Sequence, residues 1–186
     1  MDGTESPAGP LLGPPDRAAL RRIAFESVAR AVRGVGRGDF SVPATGALAE
    51  PRGAFVSLHV SGSLRGCVGL PRAERALAAV VAEMAEAAAL RDGRFERLRS
   101  SDLGRLSIEI SVLSALVPVV SPEDVRIGRD GLLVEADGAV GLLLPQVAVR
   151  RRFTAEKFLA ETAMKAGLPP LGWRRAAVHR FAAEVF

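Results

Sequence analysis

AFVSLHVSGSLRGCVG, residues 54–69, holds two short β patterns, Ala54 to Val60 and Ser63 to Gly69, joined at Ser61-Gly62. A two-residue connection can join only antiparallel neighbours, so the stretch predicts a hairpin. A second hairpin is expected between Gly131 and Leu144, where Asp137-Gly138 separates Leu132-Leu133-Val134-Glu135 from Ala139-Val140-Gly141-Leu142-Leu143-Leu144. Between them Leu106 to Val112 alternates strictly, as a strand with one apolar and one polar face does. Ala176 to Val185 reads as a closing strand.

The remaining periodic segments are helical. Asp16 is placed as N-cap of a helix running to about Val35, with Leu20, Ile23, Ala24, Ser27, Val28, Ala31 and Val32 on one face. Gly34, Gly36 and Gly38 stop it, and a Pro/Gly/Ala-rich loop follows from Arg37 to Arg52. Ala73 to about Asp92 forms the main helix, buried through Leu77, Val80, Val81, Met84, Ala88 and Leu90 and wet at Glu83, Glu86 and Arg91. Pro145 opens a short turn through Val149, and Thr154 caps a helix that ends at Ala166 before Gly167 and Pro169-Pro170. The Pro- and Gly-rich residues 1–15 are expected to be a disordered tail, leaving 16–186 as a single domain. Tight hairpins between helices give an α+β fold, an antiparallel sheet flanked by helices, and disfavour a doubly wound parallel sheet.

Composition narrows the function. The chain has 186 residues, 48% hydrophobic and 25% charged, as one ordinary compact domain has. No apolar run reaches the roughly 18 residues of a membrane span, because Glu83 and Glu86 interrupt the longest. Asp2 and Glu5 stand where a secretory signal carries basic residues, so a cytoplasmic address and no membrane partner are expected. Cys67 is the single cysteine and His59 and His179 the two histidines, which excludes an intrachain disulfide and a multi-cysteine zinc site; no metal or cofactor is expected. Net charge is +4, and all but Lys157 and Lys165 of the 25 basic residues are arginine. Without tyrosine and with one tryptophan this is a poor nucleic-acid footprint, so RNA binding through Arg150 to Arg152 ranks last.

No P-loop is present, since Phe158 and Ala166 follow the lysines, and there is no Gly-x-Ser-x-Gly elbow. Gly34-Val35-Gly36-Arg37-Gly38 follows a helix rather than a strand, which is the wrong context for a dinucleotide loop. What remains is Leu64-Arg65-Gly66-Cys67-Val68-Gly69, whose glycines allow close backbone approach by a ligand or another segment. Arg65 and Cys67, two apart, share a face, and a guanidinium there would favour a thiolate. With Ser61-Gly62 as the turn, opposite residues sum to 123, pairing Cys67 with Val56 and Arg65 with Leu58. Cys67 is then either an inert core thiol or a cleft-lining one. Glu109 is either a solvated strand carboxylate or a cleft acid, and His59 reads as a surface histidine.

LRGCVG at Leu64 to Gly69, together with the Ala-rich helix running into Asp92-Gly93-Arg94-Phe95, resembles the AMMECR-type domain family, whose bacterial and archaeal members are described as protein A of the Amme-Memo-radical-SAM system. The resemblance continues through Glu109 to Ser114, Gly128 to Leu132, Gly141 to Ala148, Phe158-Leu159, Lys165 to Leu168 and Trp173. It implies two unequal lobes with a cleft bearing the signature. It also implies partners by association, a Memo-like protein similar to class III extradiol dioxygenases and a radical SAM protein. The chain departs from the family pattern at Gly93, where Asp-Pro-Arg-Phe is expected, and at Ala163, where relatives often carry cysteine.

The function expected is a component of a radical-SAM-linked modification pathway that binds or acts on a small anionic molecule or a modified peptide. Arg65 and Arg94 are assigned to its acidic group, Gly66 to backbone approach, Cys67 to nucleophile or wall, and Glu109 with Gln146 to orienting polar groups. The alternative is a non-catalytic adaptor that docks a partner protein.

Overall fold

The computed structural model describes residues 12–35 and 45–186. The expected tail residues 1–11, and the part of the loop and glycine-rich segment at 36–44, lie outside them. Helices and antiparallel strands alternate along the chain, in the expected α+β class, and the described residues form two compact units. The first contains the described residues up to Val112 together with Glu184–Phe186; the second is Leu113–Ala183. No helix among the described residues is long and apolar enough to cross a membrane.

In the first unit, helix α1 (Pro14–Val32) begins three residues before the expected start, with Gly13 as its N-cap. Asp16 is not the N-cap; it stands three residues into the helix and its carboxylate accepts from the Gly13 N–H at 3.1 Å. Leu12, assigned to the tail, is buried. Strands β1 (Ala54–Val60) and β2 (Ser63–Leu70) form the expected hairpin, turning through Ser61 and Gly62 at φ of 50° and 81°. Helix α2 (Leu77–Leu90) starts four residues later than its apolar pattern suggests. The Glu50 carbonyl takes the Leu77 N–H at 3.0 Å and Ala76 bridges to Pro51, which holds the approach to the helix extended. Strand β3 (Leu106–Leu113) lies beside β1, so β1 is flanked on both sides and β2 is at an edge. Leu20, Ile23 and Val28 of α1, Val56 and Leu58 of β1, the buried residues of α2 and Ile110 form one core.

The second unit has its own core. Strands β5 (Asp130–Ala136) and β6 (Ala139–Leu143) form the expected Asp137-Gly138 hairpin, and β5 pairs on its other side with β7 (Ala177–Val185). The short β4 (Val117–Pro118), which the sequence pattern did not signal, pairs with β7. Helices α3 (Pro145–Arg151) and α4 (Ala155–Lys165) lie where expected, with Thr154 capping α4 by accepting from the Lys157 N–H at 3.2 Å. Leu132, Val134, Phe158, Leu159, Trp173 and Val178 meet inside.

The hairpin register differs from expectation in one decisive place. Val60 pairs with Ser63 and His59 with Leu64 as expected, but Leu58 pairs with Gly66, so Arg65 is an extra residue on β2. Beyond that bulge Cys67 pairs with Ser57 rather than Val56, and Val68 takes the place opposite Val56. Gly66 now points at the core, and a Cβ built there would lie 2.0 Å from the Ala88 carbonyl oxygen of α2. The close approach expected from this glycine is therefore made by a helix backbone and is not left open to a substrate. At Gly69 the Phe55 ring occupies the equivalent space, its nearest carbon 2.2 Å from the position of a Cβ.

Gly66→Ala must push α2 off the sheet, because the obstructing atom is backbone and cannot rotate away. The expected cost is about 2 kcal/mol or more of unfolding free energy, measured by urea denaturation with an unchanged slope. A loss under about 0.5 kcal/mol would show that the helix is not seated on this residue.

Candidate functional site

The one-residue shift decides what the outer face of the first unit's sheet presents. Across the three strands, Cys67 of β2, Ser57 of β1 and Glu109 of β3 stand in one row. On either side lie the row of Gly69, Phe55 and Ser111 and the row of Leu64, His59 and Ser107. Val56, Leu58 and Val60 point the other way and are buried. Cys67 is half-buried, and the Ser57 hydroxyl donates to its sulfur at 3.3 Å. The core-thiol reading assumed an unbroken register; the bulge places Cys67 outside the core.

The backbone of Cys67 is held as firmly as its side chain. As an edge-strand residue opposite Ser57, it directs both N–H and C=O away from β1 when the pair is of the non-hydrogen-bonded kind. Asp92, two residues past the end of α2, accepts the Cys67 N–H through Oδ2 at 2.8 Å. Arg94 donates from Nη2 to the Cys67 carbonyl at 2.7 Å. The two side chains are themselves joined: Arg94 Nε reaches Asp92 Oδ1 at 2.9 Å and Nη2 reaches Oδ2 at 2.7 Å, a two-pronged arginine-carboxylate pair. A turn in which the Phe95 N–H donates to the Asp92 carbonyl at 3.1 Å brings them together, and Asp92 Oδ1 also accepts the Arg94 N–H at 3.2 Å.

The Arg94 hydrogen bonds hold the Asp92 carboxyl well below the usual carboxylate range; burial opposes the shift, and the Cys67 and Arg94 N–H groups add to it. Arg94 is pushed upward by the same partner. Asp92 is 6% exposed and Arg94 is 64% exposed, so the carboxylate is enclosed while the guanidinium also faces solvent and stacks 5.4 Å over the Phe95 ring.

The expected site residues thus divide. Cys67 and Arg94 meet directly, and Glu109, exposed, lies across Ser57 from Cys67. Arg65 is the bulge residue, with Nη2 3.5 Å from the Glu96 carbonyl. Arg94 binds an acid already, the chain's own Asp92. Gln146 is exposed on α3 of the second unit. Asp92 and Ser57 were not singled out from the sequence. The Asp-x-Arg spacing was a usable signal for the first, whereas the second depends on the bulge. Among the described residues no three His, Cys, Asp or Glu side chains converge as a metal site.

The AMMECR1 family profile matches residues 21–186, spanning both units. A protein of Methanothermobacter thermautotrophicus is 44% identical over 145 residues, covering 74% of this chain and 76% of its own. One from Methanosarcina acetivorans is 35% identical over 173 residues, covering 90% and 87%. The crystal structure of an uncharacterized protein from Pyrococcus horikoshii is similar at a TM-score of 0.77 and 34% identity, over 89% of this chain and 88% of that one.

Asp92→Asn keeps the shape and removes the charge. A carboxyl depressed in the folded state contributes stability that is complete above its unfolded value near 4 and is lost as pH falls through the folded value. The variant should therefore be about 1–2 kcal/mol less stable at pH 7, with the difference shrinking below about pH 4. Equal stability of the two proteins at pH 7 in urea melts would remove the clamp from the account.

Proposed function

The chain belongs to the AMMECR1 family, and on that premise we propose that it is a cytoplasmic component of a radical-SAM-linked modification pathway, taking a small anionic molecule or modified peptide at the outer sheet face around Cys67. One observation carries this reading. A thiol is half-exposed on a polar row between strands, its side chain hydrogen-bonded by Ser57 and its peptide gripped on both sides by Asp92 and Arg94. Such a support fixes a reactive atom far better than an exposed loop can, and a structural thiol has no need of it.

Three chain residues supply the rest. Arg65 offers a guanidinium beside the row and takes the anionic group of the ligand. Arg94 is neutralised by Asp92 and acts chiefly as a positioning residue, through the carbonyl of Cys67. Glu109, on the far side of Ser57, receives by way of the Ser57 hydroxyl the proton that the thiol gives up as its sulfur adds to a carbonyl carbon of the ligand and the C=O π pair moves onto the oxygen. Memo-like and radical SAM proteins are the partners in this reading, delivering or consuming the bound molecule.

Iodoacetamide should modify Cys67 in the folded protein, detected by intact-mass spectrometry. Labelling that begins only after denaturation contradicts the proposal. In a reconstituted mixture with the two partners, Cys67→Ala should lower turnover by at least about a hundredfold. Unchanged turnover with partner binding retained would instead identify a non-catalytic adaptor.

A further inference from the structure

The strand order ends at β2 in the first unit and at β6 in the second. On the β2 edge, Asp92 holds the Cys67 N–H and Arg94 its carbonyl. β6 reads Ala139-Val140-Gly141-Leu142-Leu143, without a charge or a proline, and its register with β5 runs unbroken. Charges, prolines and bulges are what ordinarily close an edge to other chains, and this strand has none of them. Asp137 and Gly138, at φ of 50° and 79°, form a two-residue turn, so Ala136 and Ala139 exchange both hydrogen bonds and every second pair after them does the same. Val140 and Leu142 fall between those pairs. Their N–H and C=O groups point away from β5, and among the described residues no backbone group of another segment meets them.

At the Leu143 end of this edge lies a hollow of about 280 Å³, which Leu143 lines together with Val147 of α3, Phe153, and Met164 of α4. At roughly 30 Å³ per group of water or methylene size, that is room for about nine such groups, enough for a phenylmethyl side chain. The charged groups at its wall are spoken for. Glu161 is bound by Lys157 at 2.8 Å, Lys165 is also engaged, and Arg151 at the rim is exposed to water. An uncharged strand beside a wall whose carboxylate is already paired is complementary to an uncharged occupant.

The register says how such an occupant lies. Gly141 and Leu143 are on the helix side of the sheet, since a Cβ built on Gly141 would stand 2.4 Å from the Thr162 carbonyl oxygen of α4. Residues opposite one another in a strand pair point to the same side. On a strand added antiparallel to β6, the residues opposite Val140 and Leu142 therefore exchange hydrogen bonds with them, and the residue opposite Leu143 points to the side of the hollow. We propose that the β6 edge and this hollow form one binding site for an extended, uncharged peptide segment of a partner protein, which adds a strand through Val140 and Leu142 and places one large apolar side chain among Leu143, Val147, Phe153 and Met164. The site is separate from the outer sheet face of the first unit and stands whether or not Cys67 is reactive.

The test uses the full chain, labelled with nitrogen-15, and the blocked peptide acetyl-Ser-Phe-Thr-Ala-Thr-Ser-amide, whose phenylalanine falls opposite Leu143 and whose two threonines fall opposite Leu142 and Val140. Saturable amide shifts should centre on Val140, Leu142, Val147, Phe153 and Met164, with a dissociation constant on the order of 1 mM or tighter. The same peptide N-methylated at both threonines has lost the two N–H donors and should bind at least about tenfold more weakly. Serine in place of the phenylalanine should cost about as much. Val140→Pro removes only an outward N–H, which a strand edge tolerates, and should weaken the unmodified peptide by about tenfold. Absence of saturation at about 10 mM peptide, or shifts that saturate away from β6, overturns the proposal. So does undiminished binding of either altered peptide, or of the unmodified peptide by a folded Val140→Pro protein.

Discussion

Everything described in the first unit depends on the contact between Gly66 and the backbone of α2. A side chain at that point would meet the Ala88 carbonyl at 2.0 Å, so the helix can lie against β2 only because Gly66 has none. That seating also controls where the helix ends. Ala88 is four residues before Asp92, and a helix held at Ala88 delivers Asp92 one turn later to the edge of β2, within 2.8 Å of the Cys67 N–H. Close packing of backbone on backbone thus precedes the electrostatic clamp in the chain of causes. Without it, the Asp92 and Arg94 side chains would form an ordinary surface pair, of the kind that contributes little to stability.

The clamp also resolves a difficulty that any exposed strand edge creates. β2 lies at the end of the first unit's strand order, and its outward N–H and C=O groups are a template for pairing with another chain. Asp92 and Arg94 engage one donor and one acceptor of that edge, as a neighbouring strand would. Because the pair is charged and its carboxylate enclosed, it caps the edge with groups that no incoming apolar strand can replace cheaply. Holding Cys67 and covering the edge are then two consequences of one arrangement, which explains why a strongly shifted acid occurs at a place with no converging metal ligands.

The sequence showed the elements more clearly than the relations between them. The hairpins at Ser61-Gly62 and Asp137-Gly138, the alternating strand from Leu106 and the cap at Thr154 are local properties, written in neighbouring residues, and they stand within a residue or two of expectation. The start of α2 was misplaced because Ala76 is bridged to Pro51 and the Leu77 N–H is taken by the Glu50 carbonyl, partners more than twenty positions away. The bulge at Arg65 was invisible for a similar reason. Nothing in Leu64-Arg65-Gly66 requires an extra residue; the demand comes from α2, which must find Gly66, and not a larger residue, facing the core. Cys67 was recognised from its neighbours, but its surroundings were misassigned, since in a strand an error of one position exchanges the two faces.

That exchange bears on how the two readings of Cys67 should be weighed. In the unbroken register a buried thiol opposite Val56 is sufficiently explained by packing, because a small apolar residue fits the core. In the register observed, packing explains Val68 at that position, and Cys67 is left on a mixed face, where Ser57, His59, Ser107, Glu109 and Ser111 are polar and Phe55 and Leu64 are apolar. A serine or threonine would serve a solvated strand face equally well, with better hydrogen-bonding geometry than sulfur provides. On that face the Ser57 hydroxyl meets the sulfur, while Asp92 and Arg94 hold the Cys67 N–H and carbonyl, so the residue is fixed through its backbone as well as its side chain.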